Sequence, residues 1–124
     1  MSYSVYCEEE YIWGPSLQVG EYFLGNVRML ENILTLESGV TSHLADTIEI
    51  DKTKLGDFVK NLFTYFEVSN NTPLIAMVSG TLEVLLALNA KVNGDYPRVT
   101  GQIAKLVERS KRVFFPVEDY LNDL

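Results

Sequence analysis

Residues 47–66 read TIEIDKTKLGDFVKNLFTYF, and a change of period inside this stretch decides the fold class. Over residues 47–51 polar and apolar residues alternate, the pattern of a short half-buried strand. From Leu55 onward the apolar residues Leu55, Phe58, Val59, Leu62, Phe63 and Phe66 fall at offsets 0, 3, 4, 7, 8 and 11, one stripe of a 3.6-residue helix that faces a core. Asp51 or Thr53 can cap that helix. A strand feeding directly into an amphipathic helix excludes an all-α or all-β chain.

Upstream, residues 3–13 carry strong β formers in alternation. Tyr3, Val5 and Cys7 fall on one face, and Ser2, Ser4 and Tyr6 on the other. Tyr11, Ile12 and Trp13 follow, so the segment reads as a strand or two short strands forming an edge ribbon, with residues 47–51 as its partner. Gly14-Pro15-Ser16 stops it, and Ser16 is placed to cap a helix. Val19, Phe23, Val27, Leu30 and Leu34 then recur at helical spacing. This helix is expected to run to about Leu36, with Gly39 as a left-handed cap. Gly20 and Gly25 lie inside it and mark either a close approach or a kink. Residues 40–46 read as a loop.

Downstream, Thr72 is expected as N-cap with Pro73 at the first helical position. The helix from Pro73 to Val92 is apolar nearly all round, the mark of a central helix. A last long helix is expected from Tyr96-Pro97, broken by Phe115-Pro116. Residues 117–124 are expected to form a short final helix that turns Tyr120 and Leu121 inward. The expectation is an α+β fold, mostly helical, with four to five helices packed on a small antiparallel sheet made of the N-terminal strand and the strand near 47–51. It is expected to be a single domain over residues 1–124.

A chain of 124 residues buries roughly 65% of the surface its unfolded form exposes, enough for a core without disulfides or a structural metal. Its one cysteine, Cys7, cannot form an internal disulfide. Together with the absence of a basic n-region or long apolar run at the N-terminus, this gives a cytoplasmic protein as the expectation. No run of 18 uninterrupted apolar residues is present, so no membrane span is expected. Charge is divided unevenly: residues 1–90 hold 12 Asp/Glu against 4 Lys/Arg, and residues 91–124 hold 5 against 6. A net charge of −7 disfavours nucleic acid and anionic membrane and speeds encounter with basic proteins.

Catalytic hardware is sparse. No GxSxG, GxxxxGK(S/T) or GxGxxG motif occurs, and no zinc-ligand spacing. Cys7 has no CxxC and no adjacent basic residue that would lower its pKa. His43, the sole histidine, lies near Asp46, Glu49 and Asp51, a set that suits an acid/base pair or a metal in principle but lacks a second His or Cys. Hence no catalytic residue, metal or cofactor is assigned. The run Glu8-Glu9-Glu10 reads either as charge that blunts an edge strand or as a contact patch for a basic partner. Its alternation would place Glu8 and Glu10 on one face and Glu9 on the other. Aromatics crowd the same region, with Tyr3, Tyr6, Tyr11, Trp13 and Tyr22 serving an interface or the filling between sheet and helix. The basic residues Arg98, Lys105, Arg109, Lys111 and Arg112 are read as a solvated helix face or a bridge to the chain's own acids.

Three motifs carry a resemblance. Tyr11-Ile-Trp-Gly-Pro-Ser16 contains W-x-P-S ahead of a helix, Leu36-Glu-Ser-Gly39 contains L-x-S-G after it, and Asp46-Thr-Ile-Glu-Ile-Asp51 contains D-x-x-x-I-D leading to the next helix. Over residues 3–92 this resembles a bacterial family of small uncharacterised proteins, which implies no particular activity. In size, acidity and lack of catalytic motifs the chain also resembles immunity proteins, which neutralise a cognate toxin. That resemblance implies a protein-binding module and not an enzyme. Glu8, Glu9, Glu10, Tyr11, Trp13, Asp46, Glu49 and Asp51 would then meet the basic cleft of a toxin domain. Two alternatives stand beside it: a small-ligand or enzymatic pocket near His43 and Asp46, and a homo-oligomeric structural protein, a homodimer in its simplest form.

Overall fold

The computed structural model describes residues 1–98, 101 and 104–121. The chain divides into two compact units, Met1–Leu62 and Phe63–Leu124.

The first unit is a four-stranded sheet with helices. Strands β1 (Ser4–Cys7) and β2 (Glu10–Trp13) form a hairpin, α1 (Leu17–Leu34) follows, and β3 (Val40–His43) and β4 (Thr47–Ile50) form a second hairpin. The strand order is β2-β1-β4-β3. The sheet is mixed, which corrects the expected antiparallel pairing. The two hairpins are antiparallel inside, but β1 and β4 run parallel, with Val5 beside Ile48 and Tyr6 beside Glu49. Parallel neighbours need a long crossover, and α1 lies in the connection that supplies it. The segment expected as a loop contains β3. Its single inward apolar residue, Val40, is too weak a signal to mark an edge strand.

Alternation sorts the sheet into two faces. Val5, Cys7, Val40, Ile48 and Ile50 are buried on one. On that side the Trp13 ring meets Phe23 of α1 edge-on, with centroids 5.6 Å apart, and the buried residues of α1 are Gly20, Phe23, Val27 and Leu30. Gly20 is the close approach: a Cβ there would collide with the Tyr3 ring. Gly25 faces open space. Ser16 caps α1 as expected, accepting from the Val19 amide. The helix ends at Thr35 in the left-handed region and not at Gly39. Gly39 has φ +82° for another reason. A Cβ on it would lie 2.7 Å from the Asp51 carbonyl oxygen and 3.0 Å from the Leu55 nitrogen. The loop therefore passes directly against the start of α2 (Lys52–Glu67), and the Asp51 amide donates to the Gly39 carbonyl at 2.8 Å.

Asp51 caps α2, its Oδ1 accepting from the Lys54 amide at 3.1 Å. Leu55, Phe58, Val59, Leu62, Phe63 and Phe66 are all at most 2% exposed, the stripe read from sequence. The end of α1 is tied to β3 by polar contacts. Glu31 Oε2 accepts from the Ser38 amide at 2.9 Å and from its hydroxyl at 2.7 Å, and Oε1 accepts from Arg28 Nη1 at 2.7 Å. Arg28 Nη2 then donates to the Val40 carbonyl at 2.6 Å, and the Val40 amide donates to Ser38 Oγ at 3.1 Å. These contacts occupy both polar backbone groups of the first residue of an edge strand, which removes them as a template for unwanted pairing.

The second unit holds α3 (Thr72–Asn93), α4 (Ala104–Ser110) and α5 (Val117–Leu121). Asn71, not Thr72, caps α3, its Oδ1 accepting from the Leu74 amide. Thr72 is already helical, one residue ahead of Pro73. Residues 81–89 are buried apart from the half-buried Val84, and α3 packs on α4. With a mean hydropathy of 1.6 over an 18-residue window, α3 is long and apolar enough to cross a membrane, a property shared with core helices. The helix expected from Tyr96 does not begin there. Residues 96–98 are irregular, since a residue before proline is pushed out of the helical region, and Gly101 has φ +73°. Val99 and Ile103 of that expected stripe lie outside the described residues, as do Asn122, Asp123 and Leu124. Leu121, expected inward, is 53% exposed, while Tyr120 does turn inward.

Candidate partner-binding face

The outer face of the sheet is the candidate site. The residues that alternate with the buried set are Tyr6, Thr41, His43, Thr47 and Glu49. Registry aligns Tyr11, Tyr6, Glu49 and Thr41 across four strands, with Ser4, Thr47 and His43 in the next row. Tyr6 and Tyr11 stack edge-to-face at 5.9 Å, and Tyr11 is 59% exposed. A shallow groove of about 440 Å³ is lined by Tyr6, Glu9, His43, Leu44, Thr47 and Glu49. A second, of about 490 Å³, has Glu8, Thr41, His43, Glu49, Asp51 and Lys52 among its lining residues. His43 and Glu49 stand in both.

The expected site residues divide in three. Glu8, Glu10 and Asp51 gather at one end of the sheet around the buried Cys7, where Lys52 Nζ reaches Glu8 Oε1 at 3.3 Å. Burial, and next the Glu8 carboxylate, push the Cys7 thiol up, which suits a core residue and not a nucleophile. Glu49 stands mid-sheet. Asp46 is at the far end, roughly 10 Å away by strand rise, its backbone carbonyl accepting from the Ser4 amide. His43 Nε2 lies 3.1 Å from Glu49 Oε2, so the imidazole's carboxylate partner is Glu49. Trp13 is packed on Phe23, on the opposite side from Tyr6. The aromatic cluster divides between the two faces: Tyr3 and Trp13 fill the space beneath α1, and Tyr6 and Tyr11 face outward.

The Glu8-Glu9-Glu10 run is not a continuous strand. Glu8 and Glu9 form the turn between the paired residues Cys7 and Glu10, with φ +50° and +70°. Two successive left-handed residues are what a tight two-residue hairpin requires, and Asn-Gly is the usual choice. A glutamate there costs about 1–2 kcal/mol. Ala45 and Asp46 repeat the feature in the second hairpin, at φ +63° and +55°. Strain of this kind persists only where the surrounding structure over-determines it.

Thr41 and Leu44 were not among the residues expected to bind, and Tyr6 was read as either interface or filling. Tyr6 and Thr41 are signalled by alternation once the register is known, and Leu44, at 93% exposure, by an apolar residue in a polar turn. Another cluster lies in the second unit. Glu83 is 1% exposed. Its Oε1 accepts from the Tyr120 hydroxyl at 2.6 Å and lies 3.4 Å from Arg109 Nε. Burial pushes the Glu83 carboxyl up against the pull of Tyr120 and Arg109. The only signal was a lone carboxylate in the apolar stretch of α3. Arg109, read as part of a solvated basic face or of a bridge to the chain's own acids, makes such a bridge to Glu83, and Lys111 pairs with Glu108 at 3.0 Å. Among the described residues, no group of three or more His, Cys, Asp or Glu is placed to hold a metal ion.

No curated protein and no solved structure matches the chain. A family model does, over residues 1–115, which spans the W-x-P-S, L-x-S-G and D-x-x-x-I-D segments together. The chain belongs to the family described as Family of unknown function (DUF6086).

Proposed function

We propose that the chain is a protein-binding module, an immunity protein of a bacterial cytoplasm whose outer sheet face covers the basic active-site cleft of a cognate toxin domain. The observation that carries this reading is the composition of the open sheet face. One side of the sheet is buried, while the other presents Tyr6, Tyr11 and Leu44 among Glu9, Glu49 and His43. Aromatics within an acidic surface suit a partner of opposite charge, where the rings supply contact area and the carboxylates supply steering. The charge is also available. The first unit has ten Asp/Glu against four Lys/Arg, and Arg28, Lys52 and Lys54 are engaged with Glu31, Glu8 and Glu37. Glu9, Glu10, Asp46 and Glu49 thus have no lysine or arginine bridged to them among the described residues. The mechanism is steric occlusion after electrostatically steered encounter, with no chemical step.

The test uses tagged wild-type protein and Glu9→Lys/Glu49→Lys in parallel captures at low and moderate salt, followed by association kinetics with the purified captured protein. The expected result is one stoichiometric basic protein whose association slows at least about tenfold with the variant and slows for wild type as salt rises. Equal association rates for the two proteins contradict the reading.

A further inference from the structure

The Glu83 cluster contains an arrangement that the binding face does not use. The Tyr120 hydroxyl is inserted between two charged partners, donating to Glu83 Oε1 at 2.6 Å and accepting from Arg109 Nη2 at 3.0 Å. Two buried atoms beside it make no hydrogen bond: Glu83 Oε2, an acceptor, and Arg109 Nε, a donor that stands 3.4 Å from Glu83 Oε1 as an ion pair without bonding to it. The two orphans are complementary. A guanidinium closes on a carboxylate as a two-pronged fork through Nε and one Nη, and the hydroxyl occupies the place of one prong. The element that carries Tyr120 is weakly held. The single turn α5 has no buried residue, and Val117 and Leu121 are 71% and 53% exposed. The contacts described for it are the Tyr120 hydroxyl, the Tyr120 ring 5.6 Å from the Arg109 guanidinium carbon, and a 3.5 Å approach of Arg112 Nη1 to the Asp119 carbonyl.

We propose that α5 is a releasable strap, and that Arg109 closes on Glu83 as a fork when Tyr120 withdraws. A buried carboxylate that loses its partner usually makes such a contact permanent, because an uncompensated charge is left behind. Here release exchanges one paired state of Glu83 for another and satisfies both orphaned atoms. The strap therefore has two paired states, with the arginine as the moving part and the α3–α4 packing unchanged between them.

Nitrogen-15 relaxation and arginine Nε–H exchange, measured on the full chain as wild type and as Tyr120→Phe, test this directly. In Tyr120→Phe the amides of residues 117–121 are expected to fall to order parameters below about 0.6, the flexible range. The Arg109 Nε–H is expected to exchange at least about tenfold more slowly, and the amides of α3 and α4 to keep their wild-type protection. Three results overturn the proposal: an α5 that stays ordered without the hydroxyl, an Arg109 Nε–H no better protected than in wild type, or loss of protection throughout α3 and α4. The last would make Tyr120 a fixed brace.

Discussion

Replacing Glu31 by alanine should weaken the first unit more than its position at a helix end suggests. The carboxylate accepts three hydrogen bonds, two from Ser38, which is 0% exposed. The substitution strands a buried amide and frees a hydroxyl, at about 1–3 kcal/mol for each donor left without a partner. The Arg28 contact adds little, because that side chain is 43% exposed and an exposed pair contributes about 0–1 kcal/mol. The combined loss is about 3 kcal/mol. For a chain of this length the entropy of unfolding is about 260 cal/mol/K, so the midpoint should fall by about 10 °C. Burial alone would raise the Glu31 carboxyl, but the Ser38 hydroxyl, the Ser38 amide and Arg28 outweigh it and hold the group below the ordinary glutamate value. A carboxyl lowered in the folded state contributes stability that is present above its unfolded pKa and is lost as pH falls through its folded pKa. Scanning calorimetry of wild type and Glu31→Ala at neutral pH and down a series to acid pH measures both effects. The gap between the two midpoints should be widest at neutral pH and shrink toward acid. A difference under about 2 °C at neutral pH, or one that stays constant into acid, would mean that the Glu31–Ser38 contacts do not hold the end of α1 in place.

The strained hairpin makes a prediction of opposite sign. Glu8→Asn/Glu9→Gly relieves two left-handed glutamates and forfeits only the exposed Lys52 contact, so it should stabilise by about 1–3 kcal/mol in denaturant titration. A loss of stability would show that the two carboxylates hold the turn in some other way. Gly39→Ala should destabilise by about 2 kcal/mol or more, given the left-handed φ and the backbone atoms a methyl would meet. A neutral outcome in the same titration would mean that the loop moves away from Asp51 at little cost.

How much could be read in advance follows from the range of the forces. The α2 stripe and the Ser16 cap are local, set by spacing and by side chains within four residues, and both were legible. So was the alternation that buries Val5 and Cys7. The parallel pairing of β1 with β4 depends on where α1 delivers the chain, which no local pattern encodes. Strand β3 was hidden because three of its four residues, Thr41, Ser42 and His43, are exposed and polar. The Glu8-Glu9 turn was hidden because it lacks turn chemistry and holds its geometry against local preference. At the site, Glu9 and Glu49 were legible as acids, but their meeting with Tyr6 and His43 needed the register. Glu83 was visible as an anomaly in an apolar helix, whereas its partners lie 26 and 37 residues along the chain. Polar clusters of that separation leave no periodic trace.

The proposed meeting of the open sheet face with a partner is tested by hydrogen exchange of the protein alone and in complex with the basic protein it captures. The expected result is slowed exchange confined to residues 4–13 and 40–50, which hold Tyr6, Glu9, His43 and Glu49. Protection that falls instead on α3, α4 or α5, with those two segments unchanged, would contradict it.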